Sequence, residues 1–161
     1  MKAQFRSAVL FVKDMTASRH FYEQLLGQQV DQDFGVNVGY TDGLSLWDVQ
    51  AVFEVVFHRA PESDVCLGRN NLEVYFETED LDTALQCLTS EGVPLVHPIV
   101  EQPWAQRAFR VYDPDGHIVE LAEPMPAVVQ RLATHGLSAD AISKHTGMTL
   151  LSIEQILAGE M

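Results

Sequence analysis

The sequence predicts an α+β fold in which two β-α-β-β-β units follow one another and a short helical tail closes the chain. Three observations carry this expectation. The first is a repeat: SAVLFVKDMTASRHFYEQLLG, from Ser7 to Gly27, returns as EVYFETEDLDTALQCLTSEGV, from Glu73 to Val93. Both copies open on an apolar-rich run, reach an Asp at the same offset (Asp14 and Asp80) and enter an amphipathic stretch. Met15 aligns with Leu81, Ser18 with Ala84 and Tyr22 with Leu88, and such self-similarity marks a duplicated unit. The second is a turn late in each half, Asp42-Gly43 and Asp113-Pro114-Asp115-Gly116, whose residues suit tight reversals between strands. The third is Pro124 with Pro126, which separates residues 1–124 from a helical pattern over 125–161.

The elements follow in order. Phe5–Val12 mixes β-branched and aromatic residues and reads as a strand. Asp14 is placed to cap the helix after it, whose apolar face is Met15, Phe21, Tyr22, Leu25 and Leu26 and whose stop is Gly27. Gln29–Asp33, Gly35–Thr41 and Leu44–Asp48 are expected as the remaining strands of the first module, about residues 4–50. Val49–Arg69 connects the halves; within it FEVVFH reads as strand or linker. The second module, about residues 70–124, repeats the pattern. It has a strand at Leu72–Thr78 and a helix with Leu81, Ala84, Leu85 and Leu88 on one face. A short strand at Pro94–His97, a loop at Pro98–Pro103, and strands at Gln106–Tyr112 and His117–Leu121 complete it. In the tail, Ser138–Leu157 resembles a helix-turn-helix with Gly147 at the turn. Its last segment, TLLSIEQILAGEM, has no Lys or Arg to meet phosphate or guanine. An appendage packed on the sheet or on a partner subunit is the expectation there.

The 161 residues carry a net charge of −13. Residues 1–124 hold 20 of the 23 acidic side chains and 8 of the 10 basic ones, so the acidity belongs to the paired modules. It favours a solvated surface and works against nucleic acid, whose phosphates need Lys and Arg. No apolar run approaches the ~20 residues of a membrane span. The opening MKAQFRSAVLFVKDMT has no small-residue cleavage site after its apolar run; a cytoplasmic location is expected. Cys66 and Cys87 show no metal or disulfide spacing, and Cys87 is expected as a small core residue.

Pro103–Leu121, PWAQRAFRVYDPDGHIVEL, together with the opening LFVKDMTASRHFYEQLLG, resembles the vicinal oxygen chelate superfamily: glyoxalases, bleomycin-resistance proteins and extradiol dioxygenases. The resemblance covers about residues 4–124 and leaves the tail outside. It implies that the two βαβββ modules form a curved, cup-like mixed sheet, that ligands sit in the cup, and that copies pair as a homodimer. It also implies metal-ligand positions on the first and last strands of each module. These fall on Ser7, near Trp47, on Glu73 and on Glu120.

A Lewis-acid metal wants about three protein ligands and an open position. Glu73 and Glu120 supply two carboxylates, Ser7 is a weak ligand and Trp47 none, so a divalent metal is a cofactor the chain half provides for. Without metal, two inward carboxylates are expected to share a proton and to serve as catalytic acid or base. Trp47 and Trp104 are candidate walls of a ligand pocket. Phe109 is expected on the Glu120 face with Arg107, which either holds an anionic group or pairs with a carboxylate. Three functions stay open: a metal-independent module binding a small organic molecule, a lyase or dioxygenase using Glu73 and Glu120 on a metal with a further ligand from His58, His97 or a partner subunit, and a ligand-sensing regulator acting through the tail.

Overall fold

A computed structural model describes residues 3–160; Met1, Lys2 and Met161, where the readings of the two chain ends begin and stop, lie outside them. The chain divides into two compact units. One runs to Leu72 and takes in Tyr112–His117; the other holds Glu73–Val111 and continues from Ile118. Each contains a four-stranded sheet, so the expected α+β class with two sheet modules and C-terminal helices is what the chain forms.

In the first unit β1 (Ala8–Val12), β2 (Val30–Asp33), β3 (Asn37–Tyr40) and β4 (Leu44–Asp48) lie in the order β1-β4-β3-β2. β1 runs parallel to β4, and β3 antiparallel to both its neighbours. Asp14 caps α1 (Met15–Arg19), its side chain accepting from the Ala17 N–H at 3.0 Å. The helix passes without a break into a π-helical turn, His20–Leu25, and buries Ser18, Phe21 and Tyr22. β1 starts later than expected: Phe5 stays outside the sheet and is 83% exposed.

Val49–Phe57 is a helix, α2, where strand or linker was expected. Asp48 caps it through the Ala51 N–H at 3.0 Å, and Val49, Val52 and Phe53 form a buried cluster with Phe11, Trp47, Val65 and Leu67. The apolar run FEVVFH looked strand-like because its helical face is short; the cap at Asp48 and the spacing of Val49, Val52 and Phe53 are the signals that decide.

In the second unit β5 (Glu73–Glu77), β6 (Leu95–Glu101), β7 (Arg107–Tyr112) and β8 (Ile118–Ala122) lie in the order β5-β8-β7-β6, with β5 parallel to β8 and β6 antiparallel to β7. Asp80 caps α3 (Leu81–Ser90) through the Thr83 N–H at 2.9 Å, the same device as Asp14. Cys87 is exposed rather than in the core, because Leu81 and Leu88 alone are buried on that helix. β6 runs through Pro98, where a loop was expected. The strand is at the sheet edge and its register shifts between His97 and Val100, so the missing N–H of Pro98 costs no ladder bond.

The tail is three helices, α4 (Met125–Thr134), α5 (Ala139–Thr146) and α6 (Leu150–Ala158). Val128, Val129, Leu132, Ile142, Ile153 and Ile156 close on one another and on Ala105, all in the second unit. Ser138 and Thr149 cap α5 and α6, and Gly147 ends α5 in the left-handed conformation at φ 75°. Among the described residues no helix is long and apolar enough to cross a membrane.

Within the first unit the turn Asp113–Gly116 packs against Lys13 and Gly68. Asp115 accepts from the Lys13 N–H at 3.1 Å, and Gly68 donates its N–H to the Asp115 carbonyl at 3.1 Å. A Cβ on Gly68 would stand 1.9 Å from the Gly116 carbonyl oxygen, a backbone atom that no rotamer change can move. Gly68→Ala is therefore expected to cost about 2 kcal/mol, a fall in Tm of about 4–8 °C by the usual scaling for this size. An unchanged thermal melt would contradict the close approach.

Candidate functional site

One face of the second sheet carries a cluster of ionisable side chains centred on a single guanidinium. Strand alternation sends Glu73 and Tyr75 of β5, Glu120 of β8 and Arg110 of β7 to this face. Arg110 uses all three of its nitrogens. Nε donates to Glu73 Oε2 at 2.5 Å, Nη2 to Glu120 Oε2 at 2.6 Å, and Nη1 approaches His97 Nε2 at 3.1 Å. The His97 Nδ1 lies 2.7 Å from the Pro98 carbonyl oxygen. A carbonyl only accepts, so Nδ1 carries the hydrogen and Nε2 is left to accept from Arg110.

Glu120 is the buried member, its side chain 5% exposed against 37% for Glu73. Burial and the neighbouring Glu73 carboxylate push the Glu120 carboxyl up to about 7, against the pull of Arg110. Burial also acts upward on Glu73, but its bonds to Arg110 and to Glu120 outweigh this and hold it below its usual range. The pair therefore keeps one proton close to neutrality, as near-contact carboxylates do.

A second hydrogen-bonded chain borders the cluster. Trp104 Nε1 donates to Gln106 Oε1 at 2.9 Å, Gln106 Nε2 to the Tyr75 hydroxyl at 2.9 Å, and that hydroxyl to Glu77 at 2.9 Å. Burial and the bond to Glu77 push the Tyr75 hydroxyl up to about 12. Tyr75 and Trp104 stay 47% and 40% exposed, leaving two aromatic surfaces open beside the charges.

The structure brings some of the anticipated residues together and disperses others. Glu73 and Glu120 meet through Arg110, and Trp104 belongs to the neighbouring chain. Arg107 points away: it binds Glu123, donating from Nε at 2.7 Å, and Arg131 binds the other oxygen of Glu123 at 2.9 Å. Phe109 is fully buried and alternates with Arg110. The expectation that Arg107 and Phe109 share the Glu120 face thus gives way to Arg110, one residue out of step. Ser7 is exposed ahead of β1, and Trp47 packs in the α2 cluster of the first unit. Arg110 was missed; His97, open as a further metal ligand with His58 or a partner subunit, meets Arg110 instead. The alternation RAFRVY marked Arg110 as facing opposite to Phe109, but nothing in the chain said which of the two faces held Glu120.

Among the described residues no group of three or more His, Cys, Asp or Glu side chains is placed to hold a metal ion. Each carboxylate gives Oε2 to Arg110, and His97 directs its bare nitrogen at the same guanidinium. A cation already occupies the point on which these groups converge.

The glyoxalase-like domain family matches residues 5–126. The chain belongs to that family. With it comes membership of the vicinal oxygen chelate superfamily; residues beyond 126 lie outside the match. A solved structure of a protein of unknown function from Agrobacterium tumefaciens is similar to this glyoxalase-like domain protein at 35% identity. The alignment covers 77% of this chain and 96% of that one, with a TM-score of 0.70. A glyoxalase-related enzyme from Fulvimarina pelagi is similar at 25% identity over 76% of this chain and 88% of its own, TM-score 0.63. A glyoxalase/bleomycin resistance protein/dioxygenase from Nocardioides shares the fold at 24% identity, 76% and 84% coverage, TM-score 0.60. Comparison with curated proteins gives no match.

Proposed function

We propose that this glyoxalase-like domain protein binds a small organic molecule on the Glu73–Arg110–Glu120 face without a metal. The observation that carries the reading is Arg110, which supplies inside the protein the positive charge a metal would otherwise bring. Tyr75 and Trp104 offer flat apolar surface, and the cluster offers donors and acceptors for a polar group. A ligand seated there is expected to lose most of its affinity on Tyr75→Ala or Trp104→Ala, since aromatic walls dominate such sites.

The test is metal analysis of the chain after incubation with zinc, nickel, iron or manganese and removal of the excess. Far less than one ion per chain is expected. One tightly held ion per chain, displaced by Glu73→Gln or Glu120→Gln, overturns the reading.

A second reading, a proton-transfer enzyme, is favoured by Glu120 alone. A carboxyl with a pKa of about 7 is suited to give or take a proton from a carbonyl substrate at neutral pH. Pairing of two copies is expected from the family resemblance, and sedimentation measures it.

A further inference from the structure

In the first unit a buried carboxylate orients an imidazole toward an apolar cleft, and nothing in the Arg110 cluster takes part. Asp113, fully buried at its side chain, accepts four hydrogen bonds. Oδ1 takes the N–H groups of Asp115 at 2.9 Å and His117 at 2.8 Å; Oδ2 takes the Tyr22 hydroxyl at 2.9 Å and faces His117 Nδ1 at 2.9 Å. Tyr22 is itself fully buried, and burial together with Asp113 pushes its hydroxyl well above the ordinary range. A carboxylate so engaged acts as acceptor, which places a hydrogen on His117 Nδ1; in the neutral imidazole Nε2 is then the acceptor.

That nitrogen has no hydrogen-bond partner among the described residues, and it is not among the buried polar atoms closed off from solvent. His117 is only 7% exposed, and what accessible surface it has lines a cleft of about 210 Å³. The cleft's walls are Val9, Phe11, Leu67 and Leu72, with Asn71 as the other polar side chain. The tight approach of Gly68 to Gly116 holds the Leu67 wall against the turn that carries Asp113 and His117.

The geometry points to this cleft as a binding site for a small neutral hydroxyaromatic molecule, its ring between the apolar walls and its O–H donated to His117 Nε2. The size fits, since a cavity of about 150 Å³ already holds benzene. The polarity fits too. An acceptor backed by the Asp113 carboxylate and beside Asp115 disfavours anions, and an ammonium group would surrender its hydration to apolar walls. A weakly acidic hydroxyl satisfies the imidazole at the smallest desolvation cost.

Phenol is the probe, added to the full chain while the His117, Leu67 and Leu72 resonances are followed by NMR. Saturable shifts with a Kd of about 1 mM are expected for a ligand of this size. Toluene is expected to bind about fivefold more weakly, the value of one net hydrogen bond, and benzoate more weakly still. Leu67→Trp, which fills the cleft while keeping Asp113 and His117 themselves, is expected to abolish the shifts; His117→Phe is expected to bring phenol down to the level of toluene. Tyr75→Ala, on the other sheet, is expected to leave phenol binding unchanged, so failure of the site on the second sheet and failure of this one are read separately. Equal binding of phenol and toluene to the parent chain, shifts confined to Tyr75 and Trp104, or binding that survives Leu67→Trp each overturn the assignment.

Discussion

Replacing Arg110 with alanine is expected to cost about 3 kcal/mol of stability at about pH 8, and distinctly less at about pH 5. The size follows from what the guanidinium leaves behind. Glu120 is buried with its side chain 5% exposed, so an ionised carboxylate there without a counter-charge carries an uncompensated desolvation penalty. Glu73 is 37% exposed and recovers much of its hydration, which keeps the cost toward the lower end for a broken buried pair. The pH dependence follows from Glu120 itself. Arg110 holds its carboxyl down against burial and Glu73; without Arg110 the carboxyl rises further, and in mild acid it is protonated and free of penalty. Denaturant unfolding of parent and variant at both pH values measures this. Equal losses at the two values would mean that the cost is packing of the Arg110 stem rather than charge.

Glu120→Gln is expected to remove a pH-dependent loss of stability that the parent chain shows between about 4.5 and 7. The carboxyl is raised from the ordinary 4.5 to about 7 in the folded chain. Within that window the folded state holds a proton that the unfolded state has released, so stability falls as pH rises and levels off above 7. A shift of this size corresponds to roughly 3 kcal/mol over the window. Glu73 has the opposite sign, but its carboxyl is lowered, so its contribution changes below the ordinary range and stays outside the window. The measured quantity is the difference in unfolding free energy between parent and variant as a function of pH. A flat difference curve would place Glu120 among ordinary carboxylates and remove the basis for a proton-transfer role.

Much of the fold was legible because its signals are local. Asp14 and Asp80 cap their helices as their position before each amphipathic stretch implied, and Asp42-Gly43 and Asp113–Gly116 make the turns. The errors fall where tertiary context decides. α2 is short enough for its apolar run to read as a strand, and Pro98 sits in β6 because an edge position and a register shift absorb it. At the site, the two glutamates could be found from the repeat and the family resemblance. Arg110 could not, because facing is a property of the pairing between β7 and β8. Nor could the pairing of His97 with Arg110, although His97 lay within the expected strand. In the Tyr22–Asp113–His117 chain, Asp113 and His117 share one turn, but Tyr22 is distant in sequence and only the three-dimensional path brings it to Asp113.

The helix α2 has a consequence for how the two repeats diverged. In the first copy, Phe11 and Trp47 are roofed by α2, Val65 and Leu67. The corresponding strands of the second copy hold Glu73 and Glu120 against Arg110. The two copies thus present one face closed largely by apolar packing and one built around an ion-paired cluster. For folding, the first face should therefore reject a charged side chain at Val52 or Phe53, whereas the second should reject loss of the Arg110 charge.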